Sequence, residues 1–276
     1  MNIPAWQYAL SMSLYVIVLM FAVDFMRKHS RFALWFWIAA IFTFPLWPTQ
    51  LHGWFRWAKT LSVIIPTALI VGPGRIVSLG KSKEKWQFYN KDWVLWSLYA
   101  ILGLNILEAS LKDLSLGNWF NGVSGFILIV TMPLFKSRRT SWRGWEFSED
   151  RGDLIARTDL MWNFLYTTWN ICFVFGENPG YAASSLCILL AAELYPLLKK
   201  RPELYITARV YTLAIHILIR STYDIFTPLM DSTRFANQQV VFWWGIANLG
   251  LHLPYLFYHF RRQQVRSRAF PLKKSA

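Results

Sequence analysis

The sequence predicts an all-α, polytopic transmembrane helical bundle of about nine spans, with its N-terminus outside and its C-terminus cytoplasmic. Three observations predict it. Of the 276 residues, 55% are hydrophobic and only 16% charged, whereas a soluble domain carries about a quarter charged residues. Apolar windows recur along the whole chain, and the mean hydropathy is +0.28. Lys and Arg collect between alternate windows. At roughly 20 residues per span, nine spans leave room for connections and tails but for no soluble domain. The chain is therefore read as one integral membrane domain over residues 1–276.

In order, the windows fall at about 6–26, 33–48, 61–79, 93–111, 118–135, 154–176, 180–198, 204–226 and 239–260. Ahead of the first, Met1–Gln7 carries no Lys or Arg, and no small-residue cleavage site follows the window, so a cleaved signal peptide is not expected. The second window is short and ends at Pro45 and Pro48. After it, Leu51, Trp54, Phe55 and Trp57 interleave with His52, Arg56 and Lys59, which predicts a segment lying in the outer interface. The third contains Pro66 and Gly72-Pro73-Gly74, which interrupt the backbone hydrogen-bond ladder and predict a kink or a helix end. The remaining six are expected to be helices throughout.

Sidedness follows from the basic residues, because short cytoplasmic loops keep positive charge. The odd-numbered connections, the end of the third window and the C-terminal tail hold 22 Lys and Arg. The opposite side holds Arg56, Lys59, Lys112 and Arg234. This split accounts for most of the +14 net charge. It is compatible with anionic lipid at the cytoplasmic face, and the scatter over five short segments argues against nucleic acid. A bacterial inner membrane is the expected location. Cys172 and Cys187 both lie in apolar stretches and read as small core residues rather than as a disulfide or a metal site.

Ionisable residues at membrane depth cost at least about 2.5–3.5 kcal/mol each and are functional candidates by default. The sixth window carries Asp159, Asn163, Tyr166 and Asn170 at i, i+4, i+7 and i+11, with Glu177 beyond them on the same stripe. The eighth carries Arg209, His216, Arg220 and Asp224 on one face, the ninth Asn248 and His252, the fourth Asn105 and Glu108, and the seventh Glu193. Sorted by depth, Asp24, Arg157, Asp159, Glu193 and Arg209 form an inner charged layer and Glu108, Lys112, Arg220, Asp224 and Glu177 an outer one. Between them lie Asn163, Tyr166, Asn170, His216, Asn248 and His252. Two mixed-charge layers around a polar midplane are what a gated pathway needs: ion pairs to close each end and hydrogen-bonding groups between. A faint repeat at an offset of 112 residues aligns Glu108 with Arg220 and Lys112 with Asp224, which predicts those two ion pairs if the fourth and eighth helices are neighbours.

Gly122-Val123-Ser124-Gly125 resembles the GxSG form around the nucleophile of rhomboid-type intramembrane proteases, whose Ser needs a His base. The rest of the chain does not look like that family, and small residues at this spacing serve close helix packing. His216 and His252 fall at comparable depth, but no second pair accompanies them as haem or metal ligands. Neither a catalytic set, a metal site nor a cofactor is therefore expected. The 16 Trp, 12 Tyr and 21 Phe leave a second reading open. In it a membrane-embedded enzyme acts on a lipid or isoprenoid in an aromatic-lined cavity, with Glu108, Asp159 or Glu193 as its acid. The favoured expectation is a transporter or channel for a small solute or ion, with a polar pathway between the sixth, eighth and ninth helices. Asn163, Tyr166, Asn170, His216, Asn248 and His252 would bind the solute, and the charged layers would gate it. A homo-oligomer is compatible with the sequence.

Overall fold

A computed structural model of the chain describes residues 3–80, 84–135 and 144–269. Lys81, Lys83, Lys136, Arg138, Arg139, Arg143, Lys273 and Lys274, which enter the sidedness count, lie outside the described residues. Apart from one β-hairpin the fold is helical. The principal helices are α1 (Ala5–Lys28), α2 (Ser30–Ile41), α3 (Trp54–Ser78), α4 (Asp92–Ser115), α5 (Trp119–Thr131), α6 (Leu160–Glu177), α7 (Ala182–Leu198), α8 (Tyr205–Thr222) and α9 (Gln238–Ala269). Each apolar window meets one of them.

Five stretches are long and apolar enough to cross a membrane: Ala5–Lys28, Trp54–Ser78, Asp92–Ser115, Pro179–Leu198 and Gln238–Gln263. At 1.5 Å per residue, the 12 residues of α2 and the 13 of α5 reach only about 18–20 Å, short of the roughly 30 Å hydrocarbon core. The second window thus breaks at Phe42 into a 3₁₀ turn, Phe44–Thr49, and the fifth stops at Thr131. The helices turn apolar side chains outward: Leu10, Leu14, Ile17 and Phe21 of α1 are all exposed along one face. In water such a stripe would be an aggregation surface. Lipid is the solvent that suits it.

Two expectations need correction. Trp54, Phe55, Arg56 and Lys59 belong to α3 rather than to a separate interfacial segment. That helix runs on through both prolines, and its ladder is reset by a π-helical turn at Thr67–Val71, where the Gly72 N–H reaches the Thr67 carbonyl. The sixth window does not begin as a helix. Its first residues, Leu154–Ala156, form strand β2, which pairs antiparallel with β1 (Trp145–Phe147). α6 starts only after Asp159, whose carboxylate accepts the Trp162 N–H at 2.9 Å as an N-cap.

The hairpin is packed into one end of the bundle. A Cβ on Gly74 would stand 2.7 Å from the Phe147 ring, so only glycine lets α3 meet β1. At the turn, Gly152 adopts φ +66, and a Cβ there would be 2.7 Å from the Arg75 carbonyl oxygen. Gly125 fits α5 against α4 and α6 in the same way. A Cβ on it would fall 1.9 Å from Ser110 Oγ and 2.9 Å from Trp169 Nε1. Packing is thus what the GVSG segment does here. Ser124 donates to the Phe120 carbonyl of its own helix at 2.9 Å.

Candidate functional site: a polar cavity closed by a clamped hairpin

α3, α4, α6, α7 and α8 enclose a cavity of about 210 Å³. α3 contributes Arg56, Lys59, Thr60, Val63 and Thr67, a stripe at helical spacing like those of α6 and α8. α4 adds Leu98, Leu102 and Asn105, α6 adds Tyr166, Asn170, Phe173 and Glu177, and α8 adds Arg209, Leu213, His216 and Arg220. One end, the rim, is formed by Gln50, Arg56, Glu177, Asn178, Tyr181 and Arg220 and is partly exposed. The other end, the floor, is formed by buried Trp145 and Leu154 of the hairpin and by Ile206.

The floor is held by buried charges, two of which, Arg27 and Arg75, the sequence counts only toward sidedness. Arg75 is 1% exposed. Its five N–H groups meet the carbonyls of Gly152, Met26, Arg27 and Arg151 and the Tyr211 hydroxyl, at 2.6–3.1 Å. Arg27 donates through Nε and Nη2 to the two carboxylate oxygens of Asp153 and through Nη1 to the Tyr195 hydroxyl, which in turn donates to Asp24 at 2.8 Å. Asp153 is fully buried, and Arg75 lies 3.8 Å from it. Such a fork-to-fork pair fixes orientation as well as charge, so α1, α3, α7 and α8 grip the hairpin turn together. Outside the helices, the Ser148 hydroxyl, aided by Arg201 at 3.3 Å, holds the Asp150 carboxyl below the usual carboxylate range.

The structure divides the expected solute-binding residues. Tyr166, Asn170 and His216 line the cavity. Asn163 does not: it lies further along the α6 stripe, level with the α7–α8 connection, where its Nδ2 donates to the Pro202 carbonyl at 3.3 Å. Asn248 and His252 lie on the opposite side of α6. Asn248 donates to Asn121 at 2.7 Å and accepts from Thr168 at 3.0 Å, while His252 Nδ1 sits 2.6 Å from the Asn248 carbonyl. α9 therefore packs behind the cavity, whose walls come from α3 and α4 where α9 was expected.

The ion pairs that the offset of 112 residues predicted within the outer layer, Glu108 with Arg220 and Lys112 with Asp224, are not formed among the described residues. Glu108 pairs with Lys59 at 3.4 Å. Arg220 lies over the Tyr181 ring at 3.5 Å and, with Arg56, can donate to the Asn178 side-chain amide oxygen. Asp224 accepts from Tyr181 at 2.6 Å and from the Phe226 N–H at 3.0 Å. Lys112 does not line the cavity. Arg157 sits on the exposed face of the hairpin, paired with Glu146 at 2.6 Å. Asp159 caps α6 and holds Arg262, and Glu193 accepts from Thr167 at 3.0 Å. Of the charged residues in the two layers, only Arg209, Arg220 and Glu177 line the cavity. None of the acids considered for an enzyme reaction, Glu108, Asp159 or Glu193, lines it either.

Missed altogether were Arg56, Lys59 and Asn178 as lining residues and Arg27, Arg75 and Asp153 as the floor clamp. The α3 stripe is legible at i, i+4, i+7 and i+11 from Arg56 through Thr60, Val63 and Thr67, but Pro66 and Pro73 signal an interrupted helix, on which such a stripe has no continuous face. Nothing local marks Arg75 as buried.

A model of the family described as a family of unknown function, DUF5692, matches residues 115–275, more than half of the chain. The matched stretch contains the hairpin, α6, α7 and α8, and so the floor with Arg209, Glu177 and Arg220. Arg56 and Lys59 precede it. No curated protein and no solved structure matches the chain.

Proposed function

The chain belongs to DUF5692, and we propose that it is a multi-pass membrane transporter or channel for a small solute, with the α3/α4/α6/α8 cavity as its binding site. One observation carries this reading. The cavity is partly exposed at a charged rim and sealed at the opposite end by a hairpin that is an insert between α5 and α6 rather than part of a helix. Irregular backbone at membrane depth is tolerated where it is buried in protein or lines a cavity, and an insert held by polar contacts can withdraw without unpacking helices. In this mechanism the solute enters past Arg56, Glu177 and Arg220 and rests against Tyr166, Asn170 and His216. It leaves when Arg27 and Arg75 release Asp153 and the Gly152 turn. The excess of Lys and Arg on the hairpin side supports a floor toward the cytoplasm and a rim outside, and in this reading the membrane is a bacterial inner membrane.

The test is flux from proteoliposomes. Asn170→Leu and His216→Leu remove lining polarity without touching the floor, and each is expected to lower flux by about tenfold or more, as loss of a hydrogen bond to a bound polar group does. Flux equal to wild type in both variants overturns this site.

A further inference from the structure

The cavity carries an imbalance of hydrogen-bonding groups that points to the chemistry of its occupant. Arg209 is 6% exposed and lines the cavity one turn above the floor. Neither its Nε nor its Nη1 has a protein acceptor, and no carboxylate pairs with it among the described residues. Its guanidinium lies 5.9 Å from the centre of the Tyr166 ring. The other lining cations differ from it: Lys59 pairs with Glu108 and donates to Asn105, and Arg56 and Arg220 sit at the partly exposed rim beside Glu177, where the Asn178 side-chain amide oxygen can accept from both. Around Arg209 the unused groups are donors or can donate. Tyr166 and Asn170 make no side-chain hydrogen bond among the described residues, and His216 Nε2 has no partner.

A buried cation without a counter-charge costs several kcal/mol, whereas Arg75, in the clamp behind the floor, has every donor satisfied. The same fold therefore can neutralise a buried guanidinium and does not do so at Arg209. Arg209, buried without a counter-charge, calls for one negative group beside it. The guanidinium fork matches a planar carboxylate through two parallel bonds. The walls also carry an apolar strip, Val63, Leu98, Leu102 and Leu213, beside the polar Asn105, Asn170 and His216. The volume sets the size: a cavity of about 150 Å³ takes benzene, so one of about 210 Å³ holds roughly eight or nine non-hydrogen atoms by the same scale.

We propose that the cavity binds a small organic monocarboxylate, its head on Arg209 with Tyr166 and Asn170 as further donors and its apolar body against Val63, Leu98 and Leu102. The proposal takes the cavity as the solute site and so rests on the transport reading for its role, but binding can be measured without transport.

The experiment uses the full chain in nanodiscs and compares benzoate, benzamide and phenylphosphonate by equilibrium binding. Benzoate is expected to bind at least about tenfold more tightly than the isosteric neutral amide, the least a hydrogen-bonded charge contributes. Arg209→Gln is expected to bring the two to parity, and Arg209→Lys to keep part of the preference. Benzamide binding as well as benzoate, no measurable benzoate binding, or an undiminished preference in a folded Arg209→Gln protein each overturns the proposal. Phenylphosphonate binding more tightly than benzoate overturns the carboxylate assignment. If Arg209→Gln does not fold, the wild-type comparison decides alone. Benzoate that binds but is not moved across a liposome defeats the transport reading and leaves the ligand class standing. Flux of some other solute with no benzoate preference does the reverse.

Discussion

Arg75 and Arg209 are both buried arginines on helices, and their surroundings separate their roles. Arg75 spends its five donors on backbone carbonyls and a hydroxyl from four parts of the chain, which makes it a structural clamp. Arg209 spends none at Nε and Nη1, and the ligand proposal rests on that difference. Composition and spacing treat the two alike, because desolvation and pairing are properties of neighbours. At this scale Asp153→Asn is expected to destabilise the protein by about 3–5 kcal/mol, since it leaves the Arg27 guanidinium buried without its carboxylate. Thermal unfolding in detergent reads this, and an unchanged midpoint would show that the pair does not hold the floor. Gly125→Ala is expected to cost about 1–3 kcal/mol by overpacking, because its Cβ would meet Ser110 and Trp169. The same melting measurement checks it, and a neutral result would mean that α4, α5 and α6 can separate without cost.

Among the elements, the hairpin and α3 depart furthest from expectation. Periodicity marks the 154–176 window as apolar from its first residue, and Leu154, Ile155 and Ala156 are indeed buried. They are buried as a strand, however, and a short apolar run has the same composition in either state. The N-cap at Asp159 was the available local sign of where the helix begins. In α3 the prolines suggested an interruption that the π turn absorbs. The hairpin turn is also tied by Arg201 to Asp150 at 3.3 Å. Because the Asp150 carboxyl titrates below its unfolded value, held there first by Ser148 and then by Arg201, this tether is complete at neutral pH. It is lost as pH falls below about 4. Protection factors across residues 148–153, that is, the intrinsic exchange rate at each pH divided by the observed rate, are expected to fall in that window relative to neutral pH, and protection that does not change would rule the tether out.

For the whole molecule, the arrangement predicts access from one end. A thiol placed at the rim by Gln50→Cys is expected to react with a membrane-impermeant maleimide, while one placed at the floor by Leu154→Cys stays protected until Arg75→Lys loosens the clamp. Equal reactivity at both positions in the otherwise unmodified protein would mean that the hairpin does not seal the cavity.

The sequence by itself determined the solvent and the local order of the chain. A low charge content and recurring apolar windows fixed helical segments for a bilayer, and each window became a helix because a backbone in lipid must satisfy its own hydrogen bonds. It also placed Tyr166, Asn170, Arg209, His216 and Arg220 on two polar stripes, and all five line the cavity. Only the tertiary structure decided which helices those stripes face. α3 and α4 complete the cavity where α9 was expected, and Asn248 and His252 turn to Asn121 and Thr168 instead. Helix period fixes a side chain's direction about its own axis, but the neighbour in that direction is set by long-range packing, by glycines that admit one partner and by buried charges whose counter-ions lie far away in sequence.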